Sequence, residues 1–223
     1  MLLPEKIEAY VVSYNAKDKT QFAVSTLLSS AEKYLSRVTV LNHSQDPYEI
    51  EGARMIHFPY NPSLTRAWNT AIGMSLTDWT LVSNDDIIFD DNWFETFLEH
   101  HKKVVVWHGA SHCFLIHRDC IRKVGWFDEG FTGMYYEDLD YVRRMNNTKV
   151  DICYWQLCPM HTKIFHNRFR NSSCFDAHPS NLANHNYMKT KYKSLDLNNF
   201  HDKPLFETPN YYWRTPWLLG SQS

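Results

Sequence analysis

The sequence has little glycine, 7 residues in 223. The loop Asn15-Ala-Lys-Asp-Lys-Thr, after the first apolar stretch, has none, which excludes a glycine-rich phosphate cradle there. Charge of one sign is also missing. With 23 Lys and Arg against 25 Asp and Glu, net −2, there is no basic footprint for nucleic acid. Long apolar runs are absent; stretches such as Val104–Trp107 are far too short to span a bilayer. The opening Met1-Leu-Leu-Pro-Glu-Lys lacks the basic and apolar regions of a secretory signal. The five cysteines, Cys113, Cys120, Cys153, Cys158 and Cys174, are odd in number and show no C-x-x-C spacing. They argue against a disulfide scaffold or zinc ribbon and for buried free thiols in a reducing, cytoplasmic compartment. What is there is a hydrophobic share of 43%, enough for a real core, and a charged share of 22%, too low for a disordered chain. Aromatics reach 15%, with 8 Trp and 13 Tyr, beside 12 His. Such a surplus suits either a rich core or a site that stacks on flat ligands.

The length fits one large domain, or at most two small ones. Apolar stretches at Glu8–Tyr14, Arg37–Leu41, Arg54–Pro59, Trp79–Ser83, Val104–Trp107 and His112–His117 read as strands. Helical spacing marks Thr20–Tyr34 (Phe22, Val24, Leu27, Leu28, Ala31) and Ser63–Ser75 (Leu64, Ala67, Trp68, Ala71, Ile72). Asn92–His101, Arg118–Val124 and Glu137–Met145 also read as helices, with Asp90 and Asp91 capping the first of these. Strands alternating with helices predict an α/β domain with a mostly parallel central sheet flanked by helices. Ligands of such sheets sit beyond the carboxyl ends of the strands. Asn15, Asn42 and Asn84-Asp85-Asp86 all fall at expected strand ends, so they converge on one edge. Residues 1–193 form the domain on this reading. Residues 194–223, with Pro204, Pro209, Pro216 and Tyr211-Tyr212-Trp213, form an irregular tail packed on it.

Two acidic clusters carry candidate chemistry. Asp85 and Asp86 follow an apolar strand, where fixed carboxylates can hold a hard divalent cation against a phosphate. The competing reading is that they cap the next turn. Glu137 and Asp138 stand where a helix begins. The helix dipole favours an ionised acid there, and an ionised carboxylate can take a proton from a substrate hydroxyl. Simple N-terminal capping is the alternative. Asp140 and Arg144 are spaced i,i+4 and read as an intrahelical ion pair.

Taken in order, these strings resemble an inverting nucleotide-sugar glycosyltransferase of the GT-A fold, in the broad family 2 group. Val11-Val12-Ser13-Tyr14-Asn15 resembles that family's first strand and nucleotide loop. Asn42-His43-Ser44-Gln45-Asp46 resembles its Asp-Asn-x-Ser-x-Asp segment. Asn61 to Ile72 resembles its donor-side helix, and Asn84-Asp85-Asp86 stands at its Asp-x-Asp metal motif. Gly125 to Phe131, then Glu137-Asp138-Leu139-Asp140 and Arg144, resembles its acceptor and catalytic-base region. The resemblance covers residues 8 to 193. It implies that Asp86 binds Mn²⁺ or Mg²⁺, joined by His166 in preference to His161, and that Asp138 is the general base supported by Glu137. Ser13, Asn15, Asn42, Arg66, Asn69, Asn84, Asp85 and Lys191 would bind the donor. Trp126, Asp128 and Glu129 would bind the acceptor, with the Trp126 ring stacking on a sugar. The implied partners are a UDP-, GDP- or dTDP-type donor and a glycan acceptor, with hexosyl or deoxyhexosyl transfer. An acceptor reached at a membrane surface stays open. The chain departs from the family at Leu41, where an acid is usual, at Asn84, and at Ser63, where glycine is frequent. A nucleotidylyltransferase of similar fold is opposed by the glycine-free first loop. A non-catalytic carbohydrate-binding protein is opposed by retention of Asp86, Glu137, Asp138 and Asp140. A retaining transferase is disfavoured by the Glu-Asp-x-Asp string.

Overall fold

Strand β1 (Ile7–Ser13) is buried along its whole length, as befits a central strand covered on both faces. The computed structural model describes residues 6–89, 91, 93–95, 105–108, 113–154 and 179–192. After β1 come α1 (Lys17–Ala31), a short 3-10 turn (Glu32–Tyr34), β2 (Leu35–Asn42) and β3 (Arg54–His57). Then follow α2 (Leu64–Met74), β4 (Trp79–Asn84), β5 (Val105–His108), β6 (Cys113–His117) and α3 (Arg118–Val124). The described chain continues with α4 (Glu137–Asn147), β7 (Ile152–Tyr154) and α5 (Pro179–Lys191). The seven strands form one sheet in the order β3-β2-β1-β4-β6-β5-β7. β1 is parallel to β2 and β4, β2 to β3, and β5 to β7. Only β6 runs the other way, antiparallel to both β4 and β5. The mostly parallel α/β sheet anticipated from the sequence is therefore observed.

Side-chain alternation along β1 splits the core in two. Ile7, Ala9 and Val11 face Val24, Leu27 and Ala31 of α1. Tyr10 and Val12 face Ala67, Trp68, Ala71 and Ile72 of α2 and Tyr141, Val142 and Met145 of α4. The apolar face anticipated for α2 is thus the buried one. On α1 the stripe is Ala23, Val24, Leu27 and Ala31, while Phe22, expected inside, is 45% exposed. Trp68 sits edge-on to Phe114 and Phe127, and truncating so enclosed an indole to alanine costs about 3–5 kcal/mol.

At the amino ends of the strands, Glu8 is buried inside β1. It ion-pairs with Arg37 and accepts hydrogen bonds from Tyr10 Oη at 3.1 Å and Leu76 N at 2.9 Å. Cys113 and Cys120 are buried free thiols, which burial pushes up to about 12 and about 11. Among the described residues no helix is long and apolar enough to cross a membrane. The expected tail, the end of the helix from Asn92, and Cys158 and Cys174 lie outside the described residues.

Candidate functional site

Parallel register sets the first half of the site. Ser13 pairs with Asn42, and Val12 with Asn84, so the carboxyl ends of β2, β1 and β4 lie side by side. Ser13 Oγ donates to Asp85 Oδ2 at 2.8 Å, and Tyr14 N donates to the same oxygen at 3.2 Å. Asp85 therefore ties the β1 loop to the turn after β4 and does not cap a helix. Ser13 Oγ also lies 2.6 Å from both Thr20 Oγ1 and Tyr48 Oη. Neither Thr20 nor Tyr48 stands out in the sequence; Tyr48 falls in a turn without periodicity. Asn15 takes a left-handed φ of 52°, which Asn tolerates, and its N–H donates to Ser44 Oγ at 2.8 Å. Ser44 N in turn donates to Asn42 Oδ1 at 2.9 Å. Asn42 is fully buried, and its Nδ2 has no hydrogen-bond partner. His43 stacks on Phe58, and burial lowers its affinity for a proton. Burial, aided by the like charge of Asp86, pushes the Asp85 carboxyl up to about 6 against the pull of the Ser13 hydroxyl.

The second half is built on the segment between α3 and α4. Residues 127–133 run back along α2. Asn69 Nδ2 donates to Phe127 O, and Phe127 N donates to Asn69 Oδ1, both at 3.0 Å. Further along, Thr65 Oγ1 donates to Phe131 O at 3.3 Å, and Leu64 N to Gly133 O at 3.1 Å. That path delivers the chain to the edge where α2 begins, the same edge as the β1–β4 ends. There Tyr135 and Tyr136 adopt φ of 80° and 73°. Left-handed backbone costs roughly 1–2 kcal/mol per residue with a side chain. Tyr136 stands at the N-cap position of α4 without a side-chain cap bond, and Asp138 Oδ1 accepts from Leu139 N in the first turn at 2.8 Å. Glu137 is buried, and its Oε2 has no hydrogen-bond partner. Burial and the charge of Asp138 push the Glu137 carboxyl up to about 8. Asp140 and Arg144 make the expected ion pair at 2.9 Å.

Several expected site residues are engaged by other side chains. Arg66 and Asn69, anticipated on the donor, bind Glu129: Arg66 Nε lies 3.2 Å from its Oε2, and Asn69 Nδ2 donates to its Oε1 at 3.0 Å. Glu129, anticipated on the acceptor, thus fastens its own segment to α2. Lys191, anticipated on the donor diphosphate, bridges Asp128, at 2.6 Å, and the fully buried Asp140. Its charge is already satisfied by these two carboxylates. Asp128 also accepts from Gly130 N at 2.8 Å and Tyr187 Oη at 3.0 Å. Trp126 lies against Gly73, whose added Cβ would meet the ring at 3.6 Å. Gly73 is in the last turn of α2, so the ring sits at the end of that helix away from the strand-end cluster. His161 and His166 lie outside the described residues.

Asn84 and Asp86 offer hard oxygen donors at the end of β4, and burial beside Asp86 already raises Asp85. A divalent cation there would relieve that crowding of like charge, so the donor set fits such an ion. No group of three or more His, Cys, Asp or Glu among the described residues is arranged to hold a metal. Oxygens of a bound diphosphate are suited to complete the shell.

Residues 4–114 match the profile described as Glycosyl transferase family 2. Over that stretch the chain is similar to glycosyl transferase family 2. No curated protein is significantly similar to it in sequence. The fold of the domain is GT-A. One similar structure is GalNAc-T7 with UDP, GalNAc and Mn²⁺, at TM-score 0.57 and 10% identity, over 67% of this chain and 41% of that one. Another is the mannosyltransferase PcManGT from Pyrobaculum calidifontis in complex with GDP-Man and Mn²⁺, at 0.52 and 10%, over 68% and 56%. A third is S. aureus TarS 1-349, at 0.52 and 12%, over 66% and 57%. The alignments thus span 41% to 57% of the length of those three chains.

Proposed function

We propose that the protein transfers a sugar from a nucleoside-diphosphate donor to a hydroxyl of a glycan or similar acceptor, with inversion and with a divalent cation, Mn²⁺ or Mg²⁺. The observation that supports this best is the shared edge. Asn42, Ser13 and Asn84-Asp85-Asp86 line three adjacent strand ends, and the segment along α2 brings Asp138 to that edge.

In this reading Ser13, Asn15 and Asn42 seat the nucleoside end of the donor. Asn84 and Asp86 hold the cation, with His166 as a further ligand, and Asp85 holds the β1 loop against them. The cation, when bound, offsets charge on the departing diphosphate. Asp138 accepts the proton of the acceptor hydroxyl as its oxygen attacks the anomeric carbon from the face opposite the diphosphate. The carbon–oxygen bond to the diphosphate breaks, and the anomeric configuration inverts. Burial and the charge of Asp138 raise the Glu137 carboxyl, which favours its neutral form beside Asp138 as base. Mn²⁺ beside UDP in GalNAc-T7 and beside GDP-Man in PcManGT supports the choice of ion and donor class.

A thermal-shift and hydrolysis screen of UDP-, GDP- and dTDP-sugars with Mn²⁺ tests the proposal. A donor at a hundred times its dissociation constant adds about 2.7 kcal/mol, readily seen as a raised melting temperature. A panel in which no nucleotide sugar moves the melting temperature or is consumed would sink it.

A further inference from the structure

Helix α5 offers a function to a residue that the glycosyltransferase reading leaves idle. Asn184 is buried in the middle of that helix. Its Nδ2 donates to three backbone carbonyls, Thr132 O at 2.8 Å, Tyr135 O at 2.9 Å and Met134 O at 3.0 Å. An amide carries only two such protons, so at least one bond is shared. Its Oδ1 accepts from Thr132 N at 3.0 Å. One side chain thus supplies four contacts to a segment whose next residues, Tyr135 and Tyr136, are both left-handed. Neighbours reinforce it. Ser180 Oγ donates to Met134 O at 3.0 Å, and Tyr136 Oη meets His185 Nδ1 at 3.0 Å. Tyr187 lies over Gly130, where any Cβ would come within 2.4 Å of its hydroxyl.

We propose that Asn184 is a positioning residue: its side-chain amide holds the left-handed Tyr135–Tyr136 pair, and thereby sets the direction in which Glu137 and Asp138 enter α4. The effect on catalysis rests on the glycosyltransferase reading; the effect on the segment does not. A left-handed pair of tyrosines persists only where its surroundings over-determine it. Asn184 makes four hydrogen bonds to that segment. The helix-dipole position of Asp138 and the burial of Glu137 both depend on where α4 starts.

The test compares full-length wild type with Asn184→Ala and Asn184→Asp by hydrogen exchange, and by donor KM and kcat once a donor is found. Asp keeps the shape and the Oδ1 acceptor but sets a carboxylate oxygen against three carbonyls. The expected result is at least tenfold faster exchange over residues 131–139 in both variants, worse for Asp, with residues 7–13 and 79–84 unchanged. Transfer should lose at least tenfold in kcat with donor KM within twofold. A merely space-filling role predicts the reverse order, with the isosteric Asp nearly silent, and that order overturns the proposal. Unchanged exchange over 131–139, or faster exchange with kcat intact, overturns it too. Should Asn184→Asp fail to fold by circular dichroism, Ser180→Ala replaces it, with a threefold rise in exchange expected and none overturning the proposal. A wild type that transfers no sugar defeats the glycosyltransferase reading alone; exchange then decides the role of Asn184.

Discussion

Ser13 Oγ and Asp85 Oδ2, 2.8 Å apart, join the end of the central strand to the turn that carries the acidic cluster. The bond crosses 72 residues of sequence. It ties the loop after β1 directly to the turn after β4.

Ser13→Ala removes the hydroxyl that favours ionised Asp85. The Asp85 carboxyl, already pushed up to about 6, should rise further, because burial and Asp86 are then less opposed. Donor binding with Mn²⁺ should weaken at both pH 6 and pH 8, and roughly fivefold more near pH 6, the worth of about one hydrogen bond. Calorimetry at both pH values checks this; equal losses at the two would contradict it.

Asp138→Asn should leave donor binding intact and lower transfer by about a hundredfold or more, in the range expected when a general base is lost. Asp86→Ala should do the opposite. Its donor affinity should fall and become insensitive to EDTA. A variant Asp138→Asn with full turnover would remove Asp138 from the mechanism.

Glu137 links stability to pH. Its carboxyl is at the usual 4.5 in the unfolded chain and about 8 in the fold. The folded state therefore holds the proton more tightly. Stability from this group is fully present below about pH 4.5 and is lost as pH rises toward about 8. Glu137→Gln cannot lose a proton, so its stability should fall less between pH 5 and pH 9, with a difference of a few kcal/mol at most. Urea unfolding at those pH values measures it, and parallel curves for the two proteins would refute the assignment.

Ser63 precedes α2 with φ 126° and ψ 160°, a region essentially reserved for glycine. Its hydroxyl caps Arg66 N at 3.4 Å. Ser63→Gly should relieve strain worth more than the cap and the added chain entropy, for a net gain of about 1 kcal/mol. Ser63→Val should destabilise. Melting temperatures rank the three proteins, and a lower value for the glycine variant than for wild type would contradict the strain.

Arg37→Met should destabilise by about 3 kcal/mol, because it strands the Glu8 carboxylate inside the sheet. Chemical denaturation reads the loss, and adding Glu8→Gln to Arg37→Met should recover part of it.

Strands β1, β2 and β4 and helix α2 are legible in the sequence because each buries an apolar set, and β3 is legible from Met55 and Ile56 although both are only half-buried. The boundaries shift by a few residues, as at α1, which starts at Lys17 with no side-chain cap. β7 leaves no trace, since three residues at a sheet edge make no pattern. The strand-end residues were readable because parallel sheets put polar residues there. The contacts of Lys191, Arg66 and Trp126 were not, because they depend on how the segment after α3 threads along α2. α5 did carry a signal: Ser180, Asn181, Asn184 and Met188, at helical spacing, form its buried stripe, but three of the four are polar and no apolar period announces them.

The register of the three central strands also acts as a ruler. Asn42, Ser13 and Asn84 stand on neighbouring strands, so the row from first to last measures two strand spacings, about 10 Å. A molecule that touches both ends must be at least that long. A lone phosphate or a single sugar ring is too short to do so, whereas a nucleotide with its phosphates extended reaches across. The spacing of backbone hydrogen bonds, fixed before any side chain is chosen, thus sets the smallest ligand that can engage the whole edge.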